Sequence, residues 1–249
     1  MEIGFLQFDP QKRSCAQNVD FIVKKTKHLK DSVIVLPELF LSSYYNFLLI
    51  PQEQLPSVLG NLLELSKKNN VTYIGSLPVL TKFGAYNQAL SIDRGKIRNH
   101  YSKELLFKHE KNIFLSGTLR EQEISSFNGR ELKGIIQICL DNISPLMCHY
   151  AAQNGCDILF SPMTVSIDYM RTILQARSLE NQFITIFCNR CGEEKNIKYL
   201  GQSAIFFPDG SSKRVGEENG IEMVLAELTQ RTLKKQRDSQ KTVPRTVDF

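Results

Sequence analysis

Apolar positions along this chain fall into short runs separated by polar turns, and the spacing within the runs alternates between two kinds. Ile3 to Phe8 reads as a first strand, ended by Asp9-Pro10. Asn18 to Leu29 carries Val19, Ile22, Val23 and Leu29 at helical spacing. Ser32 to Leu36 is a continuous apolar run, as in a strand buried on both faces, and it stops at Pro37-Glu38. A helix over Leu55–Asn69, a strand over Val71–Leu77 and a hairpin of Asn87–Asp93 with Lys96–Tyr101 around Arg94-Gly95 come next. Asn128-Gly129 marks a turn before the apolar, β-branched run Gly134–Ile138, which ends on Cys139. Pro145 can open a helix over Leu146–Asn154, with Gly155 as its stop. Asp157–Phe160 then predicts a strand closed by Ser161-Pro162, Asp168–Glu180 a helix, and Phe183–Cys188 a strand. Gln202–Phe207 ends in the turn Pro208-Asp209-Gly210, and Ile221–Leu228 is the last strand. Helices and strands alternate throughout with hairpins mixed in, so the pattern predicts an α/β sandwich around one core, a single domain over 1–249.

Composition changes this picture little. The chain has 249 residues, 42% hydrophobic and 23% charged, with a formal net charge of +5. The positive excess lies around Lys24–Lys30 and in Arg231–Arg245, neither interleaved with aromatics; these read as solvated faces rather than a nucleic-acid surface. The start, MEIGFLQFDP, is unlike a signal peptide, and no apolar run is long enough to span a bilayer. A cytoplasmic protein with six reduced cysteines is expected. Cys188 and Cys191 form a lone C-x-x-C with no second ligand pair for zinc, and they follow a strand rather than open a helix, so a chance spacing is the expectation.

Three predicted strands end on reactive side chains: Glu38 after SVIVLP, Lys103 after the hairpin, and Cys139 after GIIQI. Sites in α/β sheets gather beyond the carboxyl ends of strands. A thiolate attacks a carbonyl, a carboxylate moves protons and an ammonium stabilises an oxyanion. Taken singly, each has a plainer reading: Cys139 as a small apolar residue at a strand end, Glu38 as a cap, Lys103 as a surface charge. Their joint placement is what points to chemistry.

Over nearly its whole length the chain resembles the nitrilase superfamily of carbon–nitrogen hydrolases. The resemblance is carried by Gln7, VIVLPELF with Pro37-Glu38, YNQAL (86–90), HYSKELLF with Lys103, FLSGT (114–118), GIIQICLD with Cys139-Leu140-Asp141, GCDIL (155–159), ARSLENQ (176–182) followed by Cys188-Asn189-Arg190, YLGQS (199–203) and FPDG (207–210), in that order. It implies a four-layer α-β-β-α sandwich and a Cys-Glu-Lys triad. Glu38 would be the general base, Lys103 the stabiliser of the tetrahedral intermediate and Cys139 the nucleophile. The Leu140 N–H would join Lys103 in the oxyanion hole, and Glu110 would be a second glutamate orienting substrate or assisting proton transfer, although within KELLFKHEK it also reads as a solvated charge. A thioester would form and be hydrolysed, with no metal or organic cofactor. The family commonly forms oligomers, so at least a homodimer is expected, with the tail from about 231 to 249 docking on a partner subunit.

The nucleophile segment departs from the family's pattern. Leu140 stands where an aromatic is usual, Asn142-Ile143-Ser144 where an arginine and an aromatic are usual, and Leu146 where an acid is usual. These positions line the pocket or brace the turn, which implies a substrate pocket touched by Leu140, more polar at Asn142 and smaller at Ser144. The substrate expected is a small linear amide or an ω-amide, then an N-carbamoyl compound, then a nitrile. Other readings are a non-catalytic metabolite-binding relative, a Cys-His hydrolase using His149, and an acyltransferase that passes the thioester to an amine.

Overall fold

The computed structural model describes residues 1–42, 44–45, 47–118, 122–127, 132–214, 222–229 and 233–234. The expected turn at Asn128-Gly129 and nearly all of the expected docking tail lie outside the described residues. The chain runs β1 (Glu2–Gln7), α1 (Cys15–Thr26), β2 (Ser32–Val35), β3 (Ile50–Pro51), α2 (Leu55–Val58), α3 (Gly60–Asn69), β4 (Val71–Thr81), β5 (Gly84–Asp93) and β6 (Lys96–Ser102). It continues through β7 (Ser125–Ser126), β8 (Lys133–Ile136), α4 (Pro145–Gln153), β9 (Ile158–Met163), α5 (Tyr169–Asn181) and β10 (Ile184–Asn189). Last come β11 (Cys191–Glu194), β12 (Ile197–Leu200), β13 (Ala204–Phe206), β14 (Ser212–Arg214) and β15 (Glu222–Glu227).

Two sheets carry the architecture. The first has the order β15-β1-β2-β4-β5-β6, with β3 beside β4; the second is β14-β13-β10-β9-β8-β7. The pleat sorts side chains between layers. Ile3, Phe5, Val33, Val35 and Ile74 point from the first sheet toward Ile135, Phe160 and Ile186 of the second, while Leu6, Ile34, Leu36 and Tyr73 pack outward under Val19 and Ile22 of α1 and Leu62 of α3. On the far side, Cys148 and Ala151 of α4 and Met170 and Leu174 of α5 cover the second sheet. The result is the four-layer α-β-β-α sandwich, and the strands buried on both faces are the runs that read as continuously apolar.

Several boundaries differ from the sequence reading, each for a local reason. Helix α1 starts three residues earlier because Ser14 and Gln17 form a reciprocal cap: Gln17 N donates to Ser14 Oγ at 3.3 Å and Ser14 N to Gln17 Oε1 at 2.9 Å. The single helix expected over 55–69 is two, separated at Leu59. Strand β9 runs on through Ser161-Pro162 instead of ending there. Its neighbour β8 pairs with it only as far as Ile136–Phe160, so the N–H that proline lacks has no ladder partner to miss. The β11–β12 hairpin and β14 had no counterpart in the apolar pattern.

Phe160 is fully buried between the sheets and meets the Phe127 ring edge-on at 4.9 Å between centroids. Phe160→Ala is expected to cost about 3–5 kcal/mol of stability, read from the urea unfolding midpoint.

Candidate active site

Glu38 leaves the end of β2, Lys103 the end of β6 and Cys139 the end of β8, so the first sheet supplies two of the side chains and the second sheet the third. Backbone ties hold the three ends together. Glu38 N donates to Met163 O at 3.3 Å, and Thr164 Oγ1 donates to Glu38 O at 3.2 Å, fastening the β2 end to the β9 end. Lys103 N donates to Asn87 O and Gly117 N to Lys103 O, both at 2.9 Å. Position 117 must be glycine, since a Cβ there would come 2.1 Å from Ser102 O.

All four chemistry-bearing residues are buried and adjoin one another. Lys103 Nζ donates to Glu38 Oε1 at 2.7 Å and to Glu110 Oε1 and Oε2 at 3.0 and 2.8 Å. Asn87 Nδ2 bridges the two carboxylates, at 2.9 Å from Glu38 Oε1 and 3.3 Å from Glu110 Oε1. Phe107 N donates to Glu110 Oε2 at 2.7 Å. Glu110 therefore has both oxygens engaged and is no solvated charge, whereas Glu38 Oε2 has no hydrogen-bond partner. The Cys139 thiol lies on the Glu38 side of this cluster, with Glu38 and Lys103 the side chains acting on it most strongly. His149, on α4, is not among the groups that dominate there.

The electrostatics follow from burial. Loss of water pushes the Glu38 carboxyl up to about 7, Lys103 pulling it back and Glu110 pushing it further up. Burial works against the Lys103 ammonium too, but the charges of Glu38, Cys139 and Glu110 outweigh it and hold its pKa above the ordinary lysine value. Burial, then the Glu38 charge, pushes the Cys139 thiol well up, against the pull of Lys103. Near neutral pH the cluster thus holds a thiol, a charged lysine and a glutamate poised to change its protonation state.

Cys139 sits at φ 44°, in the left-handed region that costs a non-glycine residue about 1–2 kcal/mol. The strain is held by buried hydrogen bonds on both sides. Tyr101 Oη accepts from Ile138 N at 2.5 Å and donates to Asp141 Oδ2 at 2.9 Å. Asp141 also accepts from Glu104 N at 3.2 Å and Leu105 N at 2.7 Å, so it fastens the turn after Cys139 to the segment after Lys103. Asn142 Nδ2 donates to Gln137 O and Cys139 O, both at 2.9 Å, and its Oδ1 accepts from Ser161 Oγ at 2.6 Å.

Of the three expected substrate contacts, only Leu140 lines the cavity in front of Cys139. Asn142 is spent bracing the nucleophile turn inside the second sheet, and Ser144 is the N-cap of α4; neither lines that cavity. The cavity measures about 130 Å³, and its walls are largely Tyr44, Tyr45, Val165, Ile167, Met170 and Tyr199. Those residues, together with Asn87, Tyr101 and Asp141, carried no role in the sequence reading, though Asn87, Tyr101, Asp141 and Tyr199 all lie within the stretches that carried the resemblance. Cys188 and Cys191 are both buried, Cys188 Sγ lies 3.5 Å from Leu6 O, and neither opens a helix. Among the described residues no cluster of His, Cys, Asp and Glu is arranged to hold a metal, and no helix is long and apolar enough to cross a membrane.

A two-sheet sandwich whose strand ends converge on a buried glutamate, lysine and cysteine has the layout of the nitrilase superfamily. The chain belongs to its carbon–nitrogen hydrolase family, whose profile matches residues 8–238. It is 30% identical to the 2-oxoglutaramate amidase of Bacillus subtilis over 241 residues, covering 91% of this chain and 90% of that one. A superfamily member from Xanthomonas campestris, solved with an arsenic adduct in its active site, superposes with a TM-score of 0.82 at 20% identity over 100% of this chain and 98% of that one. A cysteine-to-alanine mutant of a Nesterenkonia amidase, solved with butyramide, gives 0.76 at 22% identity over 97% and 96%.

Asp141→Asn turns an amide NH2 toward a buried donor. It is expected to cost about 1–3 kcal/mol in urea unfolding and to slow alkylation of Cys139 by iodoacetamide, with the far-UV circular dichroism spectrum unchanged.

Proposed function

We propose that the protein is a thiol-dependent amidase that hydrolyses a small amide through a thioester on Cys139. The observation that carries this reading is the buried Glu38 carboxylate beside the thiol, whose Oε1 takes the Lys103 and Asn87 hydrogen bonds while Oε2 takes neither. Glu38 takes the Cys139 proton as sulfur attacks the amide carbon. The proton passes to the departing nitrogen, and the same carboxylate then activates water to release the acid. Lys103 neutralises the oxyanion together with the N–H of Leu140, which stands at the start of a 3-10 turn, where backbone donors have no acceptor within the turn. Glu110 holds Lys103 in place with both oxygens. No step calls for a metal or an organic cofactor.

The small cavity and its aromatic and aliphatic walls favour a short, uncharged acyl group. A second reading is an ω-amide, which carries a carboxylate at its far end. It is favoured by Lys195, whose Nζ lies 4.7 Å from the centre of the Tyr45 ring at the cavity wall, and by the likeness to a 2-oxoglutaramate amidase.

Ammonia release from butyramide, succinamate, an N-carbamoyl amino acid and butyronitrile separates these. Butyramide is expected to be the best substrate, and Cys139→Ala to abolish turnover. If succinamate is preferred, and Lys195→Ala removes that preference, the ω-amide reading replaces the first. Because the folded-state value of Glu38 is raised, its carboxylate is present above about pH 7 and lost as pH falls through that value. The kcat/KM profile should therefore show an acid limb near pH 7 belonging to the coupled cluster, and Glu38→Gln should remove both the limb and most of the rate.

We further infer a homodimer formed through the outer helical layer. Leu146 and Tyr150 on α4 and Tyr169 on α5 are 76%, 53% and 54% exposed, large apolar side chains on the layer that covers the second sheet. Sedimentation at micromolar concentration is expected to give a dimer, and Leu146→Glu with Tyr150→Glu a monomer.

A further inference from the structure

A second buried ionic chain lies beside the site and belongs to none of the steps above. Arg190, fully buried after β10, donates from Nη2 to Asp9 Oδ1 at 2.8 Å and from Nη1 to Glu194 Oε2 at 2.9 Å. Its guanidinium lies 4.4 Å from the centre of the Tyr199 ring. Glu194, at the end of β11, uses both oxygens on successive backbone amides of the segment that follows Glu38: Oε2 accepts from Tyr44 N and Oε1 from Tyr45 N, each at 3.0 Å. Tyr44, Tyr45, Ile197 and Tyr199 all line the cavity before Cys139. None of them belongs to either large sheet: two lie in the segment after Glu38 and two in the separate β11–β12 ribbon. Glu194 and the Arg190 it pairs with join these two pieces of wall by hydrogen bonds, beside the contact of Lys195 Nζ with the Tyr45 ring.

We propose that Glu194 is a positioning residue for specificity: its carboxylate locks the Tyr44–Tyr45 segment to the β11–β12 hairpin and so sets the size of the acyl group the cavity admits. A carboxylate is suited to this because it can accept at both oxygens at once and carry the charge that Arg190 requires. A glutamine keeps the shape but presents an NH2 group either to a backbone N–H or to Arg190. The proposal rests on the amidase reading for its substrate arm and on geometry alone for the rest.

The test compares Glu194→Gln and Glu194→Ala with the parent chain. Three quantities are read: kinetics on acetamide, butyramide and hexanamide, the rate of Cys139 alkylation by iodoacetamide, and backbone hydrogen exchange resolved by peptide. Loss of ground-state positioning raises KM with kcat little changed, so KM for butyramide should rise about tenfold or more with kcat within about threefold. The preference among the three acyl lengths should flatten, the alkylation rate should hold, and exchange should quicken in the peptide covering 39–47 but not in the one containing Cys139. Glu194→Gln is the variant that keeps the side-chain volume. If Glu194→Ala fails to fold, Glu194→Gln alone decides. An unchanged exchange rate over 39–47 would overturn the proposal, as would unchanged KM in an active enzyme, or alkylation falling in step with activity. A parent chain that hydrolyses no amide counts against the amidase reading alone, and Glu194 is then judged by exchange.

Discussion

The structure depends on burying Lys103 between two glutamates. An ammonium taken from water without partners costs several kcal/mol, and the usual outcome is that it gives up its proton. Here three oxygen contacts at 2.7–3.0 Å from Glu38 and Glu110 keep it charged. The same contacts leave an imbalance: two carboxylates share one cation, and Asn87 reaches both of them. Glu110, with four donor contacts counting Phe107 N, is the better served. Glu38 is the less well served, and burial first, with the Glu110 charge adding to it, pushes its pKa to about 7 against the pull of Lys103. Folding therefore favours the protonated form of Glu38, and the cost of holding it as a carboxylate grows as pH rises from the ordinary glutamate range to about 7. A group held in that condition is poised to accept a proton from a neighbour, and Cys139 is the neighbour.

A second constraint explains why the cluster needs the whole sandwich. Glu38 and Lys103 come from the first sheet and Cys139 from the second, so the distance between the Glu38 carboxylate and the Cys139 sulfur is set by how the two sheets pack. Phe160 and the side chains around it fill that interface, and Asp141 with Tyr101 crosses it with hydrogen bonds. The left-handed turn at Cys139 persists because it is held from both sides, by Tyr101 at Ile138 and by Asn142 at the Cys139 carbonyl. Removing one of these would release backbone strain and move the sulfur, which links core stability to reactivity.

The strands that end on Glu38, Lys103 and Cys139 were legible because a strand buried on both faces is written as an unbroken apolar run. The burial of Glu110 was not legible. KELLFKHEK has the composition of a solvated face, and only the approach of Lys103 and Asn87 from other strands removes Glu110 from water. Asn142 shows the converse. Its polarity suggests a pocket, but the carbonyls of Gln137 and Cys139 and the Ser161 hydroxyl satisfy it within the fold. Tyr44, Tyr45 and Glu194 meet across about 150 residues of chain, and no local period records such a meeting. The cap at Ser14-Gln17 is written in polar residues, which the helical spacing of apolar positions does not record.

The site has two faces of opposite character, and that contrast is itself an argument about mechanism. Behind the sulfur stand Lys103, Glu38 and Glu110, dry and tightly bonded. In front stands a cavity of about 130 Å³ with walls that are mostly aromatic and aliphatic. A substrate entering it exchanges water for apolar contact at its acyl end, and meets the charged groups only at the carbonyl and the departing nitrogen. Charge interactions in such a water-poor setting are stronger than in bulk solvent, and they act at the atoms where charge develops during attack. The acyl end contributes to binding in ground and transition state alike, so it sets which amide is admitted. In the proposed mechanism, the Lys103 side of the sulfur contributes where the carbonyl becomes an oxyanion, so there it sets the rate. Selection and chemistry are thus assigned, in that mechanism, to different walls of one small cavity.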